Sequence, residues 1–268
     1  MSTGMIVCGA SGRMGRTLVN LIAQDSGATL VGAVEAPSSP EVGHDAGELA
    51  GVGVLRVPVG TDLARVANPD TVILDFTTAD AALKNVRVAV ERGSAIVVGT
   101  TGFSGNQQTE LDELARQTRC LIEPNMSIGI AVLRRLIQEA GRALGPDFDP
   151  EIVEIHHKMK VDAPSGTALA LAKAVADATG RDVSKDVASG RQGIVGRRPA
   201  NEIGVMALRG GDVVGDHTVI FAGLGERIEL THRAHSRECL ARGAIRAAHW
   251  LIDQPIGRYA MRDVLGWS

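Results

Sequence analysis

Aromatic residues are scarce, at 3% of the 268 positions, and neither sign of charge dominates, with Lys+Arg at 28 against Asp+Glu at 31. The first shortage removes the stacking platforms that single-stranded nucleic acid needs. The second leaves a net charge of -3, which gives no electrostatic footprint for a nucleic-acid or membrane-surface partner. Only three cysteines occur, Cys8, Cys120 and Cys239. They are far apart, odd in number and form no CxxC pair, so neither a disulfide framework nor a cysteine zinc site is expected. Long apolar runs are missing too: none reaches the roughly 20 residues of a membrane span, and no basic segment leads an apolar one at the N-terminus as in a signal peptide. A cytoplasmic setting is expected, with no membrane and no nucleic-acid partner. What is abundant is glycine, 32 residues, which suits tight turns between strands and helices. The length allows one large or two ordinary domains.

Through residue 122 short apolar runs alternate with helical spacing. Strands are expected at 4–9, 28–35, 72–76, 95–99 and 120–122, and helices at 13–24, 79–92 and 105–118. That alternation predicts a parallel sheet covered by helices on both faces. The pattern changes near residue 125. A long apolar-striped helix over 128–144 leads into a strand at 151–156 and a helix at about 166–178. Residues 180–200, rich in Gly, Arg, Asp and Ser, read as a long loop or flap. Three strands follow at 203–209, 217–222 and 226–232, with turns at 209–212 and 223–226 that look like hairpin or meander connections. A last helix, about 237–252, ends before Pro255. The expected fold is α/β: a Rossmann-like doubly wound parallel sheet plus an α+β domain whose sheet is mixed or antiparallel.

The first motif is Gly9-Ala10-Ser11-Gly12-Arg13-Met14-Gly15, set between a strand and a helix. Glycines permit the tight turn and let a pyrophosphate approach the backbone. The helix N-terminus adds free N–H groups and the positive end of a dipole. Glu35 lies about 20 positions on, at the end of the second strand, placed to accept from a ribose 2′-hydroxyl. A carboxylate there opposes a 2′-phosphate and favours NADH over NADPH, unless Arg13 or Arg16 reaches the phosphate. Gly99-Thr100-Thr101-Gly102 follows another strand and is either a turn lining the nicotinamide or a plain βα turn. Pro124-Asn125-Met126-Ser127 precedes the long helix, and Asn125 or Ser127 also suits an N-cap.

The second motif runs from Glu154 to Ala168: Glu-Ile-His-His-Lys-Met-Lys-Val-Asp-Ala-Pro-Ser-Gly-Thr-Ala. Ser165-Gly166-Thr167 opens a helix, either as a simple cap or as a cradle in which a ligand carboxylate meets backbone N–H groups. Lys160 adds a cation. His156 and His157 are adjacent, so in an extended strand they face opposite ways. No carboxylate or cysteine cluster completes a chelate, so a metal is not expected; His232-Arg-Ala-His235 reads as a strand end. A histidine pair beside a lysine and an anion cradle suits an acidic small molecule that must gain or lose a proton.

The chain resembles the dihydrodipicolinate reductase family over essentially its whole length. The match rests on the 154–168 motif, with Gly9–Gly15, Asp45–Gly51, Asp75–Thr77, Gly99–Gly102, Asn125–Gly129 and Arg209–His217 in support. The resemblance implies reduction of a cyclic hydroxylated imine dicarboxylate, 4-hydroxy-tetrahydrodipicolinate, by NADH and/or NADPH with loss of water, in lysine and diaminopimelate synthesis. It implies that His156 and Lys160 are catalytic proton carriers and that His157, Gly166 and Thr167 hold substrate carboxylates. It further implies cofactor contacts from Gly9, Ala10, Ser11, Gly12, Arg13, Met14, Glu35, Gly99, Thr100, Thr101, Glu123, Pro124, Asn125 and Met126. The implied organisation is a discontinuous dinucleotide-binding domain, 1–126 with 237–268, around a substrate-binding and tetramerisation domain at 127–236, assembled as a homotetramer.

One position departs from the family pattern. Many members carry Arg directly after the acid at the end of the second strand, and here that residue is Ala36. NADH is therefore expected to serve at least as well as NADPH. Another two-domain dehydrogenase of an amino-acid-like carboxylate would share the nucleotide loop, but has no need of His-His-x-x-Lys before Ser-Gly-Thr. A non-catalytic nucleotide-sensing regulator would be expected to lose His156 or Lys160, and both are present.

Overall fold

The computed structural model describes residues 2–267, which divide into two compact units: residues up to Ile128 together with Glu238 onward, and Gly129–Arg237. The first unit holds β1 (Thr3–Cys8), α1 (Arg13–Gln24), β2 (Ala28–Val34), α2 (Ala46–Ala50), β3 (Val59–Gly60), β4 (Thr71–Asp75), α3 (Ala79–Arg92), β5 (Ala95–Val98), α4 (Gly105–Leu114) and β6 (Arg119–Ile122). Helix α5 (Ile128–Leu144) leads into the second unit, which contains β7 (Asp149–His156), α6 (Gly166–Thr179), α7 (Val183–Asp186), β8 (Val187–Ala188), β9 (Ile203–Arg209), β10 (Gly215–Ala222) and β11 (Arg227–Ala234). The chain returns to the first unit with α8 (Glu238–Leu251), β12 (Gly257–Tyr259) and α9 (Met261–Val264).

The first sheet is parallel throughout, in the order β12-β6-β5-β4-β1-β2-β3. The order reverses between β1 and β4, whose last residues Cys8 and Asp75 pair in register. A doubly wound sheet opens its ligand crevice at that reversal, outside the carboxyl ends of the strands. The central strands β4 and β5 are fully buried and apolar apart from Thr71 and Asp75 at the two ends of β4, as a parallel sheet covered on both faces requires.

Two short edge strands, β3 and β12, have too little pattern to be read from sequence. Helix α4 stops at Leu114 rather than 118. Ala115 and Gln117 close a turn on the Leu111 and Leu114 carbonyls, and buried Thr118 donates its hydroxyl to the Ser94 carbonyl at 2.7 Å, setting the entry to β6.

The second sheet is mixed, in the order β11-β10-β7-β9-β8. β10 pairs antiparallel with β11 and β7, whereas β9 pairs parallel with β7 and β8. The 223–226 turn is a hairpin, closed by Gly223 N–H on the Glu226 carbonyl at 2.9 Å. The 209–212 turn is not, because β7 lies between β9 and β10. Local turn chemistry looked like a hairpin, but β7, from earlier in the chain, takes the central place. The 180–200 segment contains α7 and β8. Its remainder is pinned to β7 by Arg191 and Arg198, which bind Glu151, with Arg198 also on Asp149. Helices α5 and α6 cover the buried face, packing Ile137, Leu171 and Val175 on Ile152, Val205 and Phe221.

Candidate active site

The glycine-rich turn sits at the sheet reversal. Gly9 has φ +72°, a left-handed conformation that suits glycine. Helix α1 has Gly12 at its N-cap, no side-chain cap and no acidic residue in its first turn. An uncapped N-terminus of this kind offers N–H groups and positive dipole to a pyrophosphate. Glu35 Oε1 accepts from the Ser11 N–H at 2.8 Å and the Ser11 hydroxyl at 2.6 Å, and Oε2 from the Ala36 N–H at 3.2 Å. The acid at the end of β2 is thus anchored on the loop itself. Arg16 is tied to the Ser11 carbonyl at 2.7 Å and to Glu41 at 3.4 Å, while Arg13 is exposed on the first turn.

A cavity of about 890 Å³ opens beside this loop, wholly within the first unit. Gly9, Ser11, Gly12 and Glu35 line it, joined by Pro37, Asp62, Thr77 and Lys84. Sequence reading missed these four. Only Thr77 lay in a motif, and the others come from loops and a helix face with no local signature.

Thr100 and Thr101 divide. Thr101 is exposed, whereas Thr100 is buried and donates to Asp75 Oδ1 at 2.8 Å. Asp75, fully buried, also accepts from the Thr77 hydroxyl at 2.8 Å and from Asn85 at 2.6 Å. One carboxylate therefore fixes the ends of β4 and β5 and the start of α3. At Gly99 a side chain would collide with the Phe76 ring, 2.6 Å from Cδ1.

Glu123, past β6, is buried and accepts from the Met261 N–H at 3.3 Å. Pro124 follows, and Asn125 Oδ1 accepts from the Ser127 N–H at 2.9 Å, shaping the turn into α5. Met126 is buried at 1% exposure under α8, whose Gly243 leaves no room for a Cβ against the Met126 backbone.

In the second unit β7 alternates strictly: Pro150, Ile152, Glu154 and His156 face inward. His157, one residue beyond, turns away and reaches Arg237 at 3.5 Å. The inward pair forms a polar centre. His156 Nδ1 lies 2.5 Å from Glu154 Oε2, and the Arg209 guanidinium grips both carboxylate oxygens at 2.8 and 3.0 Å. The Ser165 N–H donates to Glu154 Oε1 at 3.0 Å. Burial pushes the Glu154 carboxyl upward, but Arg209, then His156 and the Ser165 N–H, more than offset it and hold the group below the usual carboxylate range.

Ser165 caps α6 by accepting from the Ala168 N–H at 3.1 Å, which places Gly166 and Thr167 in its first turn. Lys160, on the connecting loop, pairs with Asp162 at 2.8 Å. His156, Lys160 and the Gly166–Thr167 helix start belong to one unit, with Glu154 bound to His156 and the Ser165 N–H, and Arg209 bridging Glu154 to the Asp162 carbonyl on the Lys160 loop.

His217 on β10 is a further member. It is 3% exposed, stacks edge-on against His156 with ring centroids 5.1 Å apart, and lies 3.3 Å from the Ser165 hydroxyl. Its Nδ1 has no partner. Burial first, then His156, pushes its imidazole down to about 4, so it is neutral at pH 7. An unfolded histidine near 6.5 binds a proton that the folded one refuses, so this site's stabilisation is complete above pH 6.5 and declines as pH falls toward 4. The loss is on the order of 3 kcal/mol at pH 4. His217→Asn should unfold with a shallower pH dependence between 6.5 and 4 in denaturant titrations. Parallel curves for variant and wild type would contradict this.

Two family models cover this chain: "Dihydrodipicolinate reductase, N-terminus" matches residues 3–126, and "Dihydrodipicolinate reductase, C-terminus" matches residues 129–265. The chain belongs to the dihydrodipicolinate reductase family. It is 47% identical over 260 residues to the 4-hydroxy-tetrahydrodipicolinate reductase of Geotalea uraniireducens, covering 97% of each chain. To that of Anaeromyxobacter dehalogenans it is 48% identical over 264 residues, covering 98% of each. Among solved structures, a dipicolinate-bound dihydrodipicolinate reductase from Paenisporosarcina sp. TG-14 superposes with a TM-score of 0.75 at 22% identity, covering 97% of this chain and 98% of the other. An amine dehydrogenase from Mycobacterium smegmatis gives 0.61 at 16%, covering 97% and 95%. These two likenesses concern the fold, a Rossmann-like parallel sheet with a second, mixed sheet. The reductase is an oxidoreductase dependent on NAD(P)H. Among the described residues no helix is long and apolar enough to cross a membrane.

Proposed function

We propose that this reductase converts 4-hydroxy-tetrahydrodipicolinate to tetrahydrodipicolinate in lysine and diaminopimelate synthesis, in the cytoplasm. The observation that supports the reading is that one buried carboxylate, Glu154, binds His156, the Ser165 N–H at the start of α6, and Arg209, which also holds the Lys160 loop at the Asp162 carbonyl. NAD(P)H supplies a hydride to the ring carbon that loses its hydroxyl. The hydroxyl departs as water, so one proton is consumed for each hydride. Lys160 and His156 manage that proton. The helix start at Gly166 and Thr167, with His157, binds the substrate carboxylates, because backbone N–H groups and the dipole end favour anions.

The first unit is the dinucleotide-binding domain. Gly9 to Met14 cradle the pyrophosphate, Glu35 accepts from the ribose, and the 99–101 and 123–126 turns face the nicotinamide end. The second unit binds substrate and joins four copies into a homotetramer through its sheet. A coupled assay that makes the cyclic dicarboxylate freshly and follows NADH oxidation tests the activity; no consumption beyond background would end this reading.

Cofactor choice is the finer question. Glu35 is held by Ser11, and Ala36 provides no cation beside it. A 2′-phosphate would meet an anchored carboxylate, so kcat/KM for NADH is expected to equal or exceed that for NADPH. Titration of each nucleotide by protein fluorescence should give the same ranking. A much higher kcat/KM for NADPH would rule this out.

A further inference from the structure

We propose that Glu154 is a positioning residue for His156, setting which ring nitrogen carries the exchangeable proton. The inference deepens the assignment of His156 as a proton carrier and rests on it. Four donors converge on the two oxygens of Glu154: His156 Nδ1 and Arg209 Nη1 on Oε2, Arg209 Nη2 and the Ser165 N–H on Oε1. The side chain is fully buried, so water does not compete for these positions. An ionised carboxylate can only accept. Nδ1 must therefore carry its hydrogen, and Nε2 becomes the atom that gives or takes a proton.

The opposite edge of the ring is shaped to match. Nε2 lies against Gly215, where a Cβ would stand 2.9 Å away, so glycine at the first position of β10 keeps a side chain off this nitrogen. Arg209 is itself held, donating to the Asp162 carbonyl at 2.5 Å. Glu154 thus ties the proton carrier, the cap of α6 and the Lys160–Asp162 loop to one fixed point. Of the charged and titratable groups, Glu154 on β7 and His217 on β10 meet His156 directly and Arg209 on β9 grips Glu154, while His232 on β11 and Lys160 on the loop act on His217, Asp216 on β10 acts on His232, and Asp162 pairs with Lys160.

Glu154→Gln keeps the shape but puts an N–H2 where a second acceptor stood, against donors on either side. Once the amide faces Nδ1, the ring must move its hydrogen to Nε2. The expected result is a fall in kcat of at least about tenfold, as when a catalytic histidine is left in the wrong tautomer. The pH at which kcat falls should also move lower, because the imidazolium has lost its anion. Glu154→Asp, which keeps the charge, should retain the wild-type pH limb.

The tautomer is read directly by 15N NMR of histidine-labelled wild-type protein, with His156 assigned by its loss in His156→Ala. Hydrogen on Nδ1 supports the proposal; hydrogen on Nε2 in neutral wild-type His156 overturns it, whether or not any Glu154 variant folds. A Glu154→Gln enzyme that loses activity with an unmoved pH limb and an unchanged tautomer would likewise overturn it, leaving a structural role only. Unchanged kcat in His156→Ala would instead refute the proton-carrying role on which the inference rests, and the wild-type tautomer still reports on Glu154.

Discussion

Replacing Lys160 by alanine is expected to lower kcat by about 10²–10⁴-fold, the range that a positioned general acid contributes, while the NADH dissociation constant stays within about a factor of two. The reason is where the side chain sits. Lys160 lies on the loop between β7 and α6, 21% exposed, with its ammonium 2.8 Å from Asp162. The same lysine is the main cause that holds the Asp162 carboxyl below its usual range. The pair ties the ammonium to Asp162, whose backbone carbonyl is held by the same Arg209 that grips Glu154. None of the groups assigned to the nucleotide belongs to this loop, so hydride-carrier affinity should not move. Stopped-flow single turnovers with fluorescence titration of NADH separate the two quantities. Equal turnover in the variant would refute a proton-donor role, and a large loss of NADH affinity with intact kcat would place Lys160 in nucleotide binding instead.

Gly15→Ala is expected to weaken NADH binding at least tenfold and to lower the melting temperature. A Cβ at this position would overlap the Gly9 carbonyl oxygen and stand 2.7 Å from Ala10 Cα and 2.8 Å from Ala10 C. All three are backbone atoms of the glycine-rich turn proposed to cradle the pyrophosphate, so no flexible side chain can yield. Either α1 lifts off β1 or the turn deforms, and each spoils the alignment of the N–H groups with the pyrophosphate. Overpacking of this kind costs about 1–3 kcal/mol. Gly105→Ala, where nothing lies within 4 Å, is the control and should leave both quantities unchanged. Wild-type NADH affinity in Gly15→Ala, measured calorimetrically, would show that the close packing of α1 on the turn is dispensable.

Within the first unit most of the fold could be read ahead. Buried parallel strands are continuous apolar runs, and the helices between them keep a 3.6-residue stripe, so periodicity alone separates them. The misses have physical causes. β3 and β12 are two and three residues long, too short to carry a period. The 105–118 segment kept good helix formers past Leu114, but Thr118 is needed on the Ser94 carbonyl to start β6, and that tertiary bond ends the helix early. In the second unit the Gly-Gly turn after β9 was chemically a hairpin turn, yet β7 occupies the space between β9 and β10. A turn sequence specifies a reversal of direction; which strand fills the gap depends on distant residues.

The candidate site divides the same way. The residues proposed to carry the chemistry, His156, Lys160 and Ser165-Gly166-Thr167, were legible because they sit within a dozen positions and because the strand period sets His156 and His157 on opposite faces. The glycine turn and Glu35 were legible because strand, turn and helix follow one another along the chain. Three features belong to tertiary structure alone. Asp75 locks Thr100, a residue from the next strand end. Arg209, 55 positions from Glu154, closes on its carboxylate. His217 comes 52 positions after Ser165 to lie beside it. Each is a buried polar contact whose partner arrives from another strand, and no local pattern announces a partner that the chain meets only once the sheet has formed. The sequence by itself determined which residues are proposed to carry the proton and where two helices begin, because both are local patterns; the mixed sheet decided that Glu154 would be buried, held below the usual carboxylate range and aimed at one nitrogen of His156.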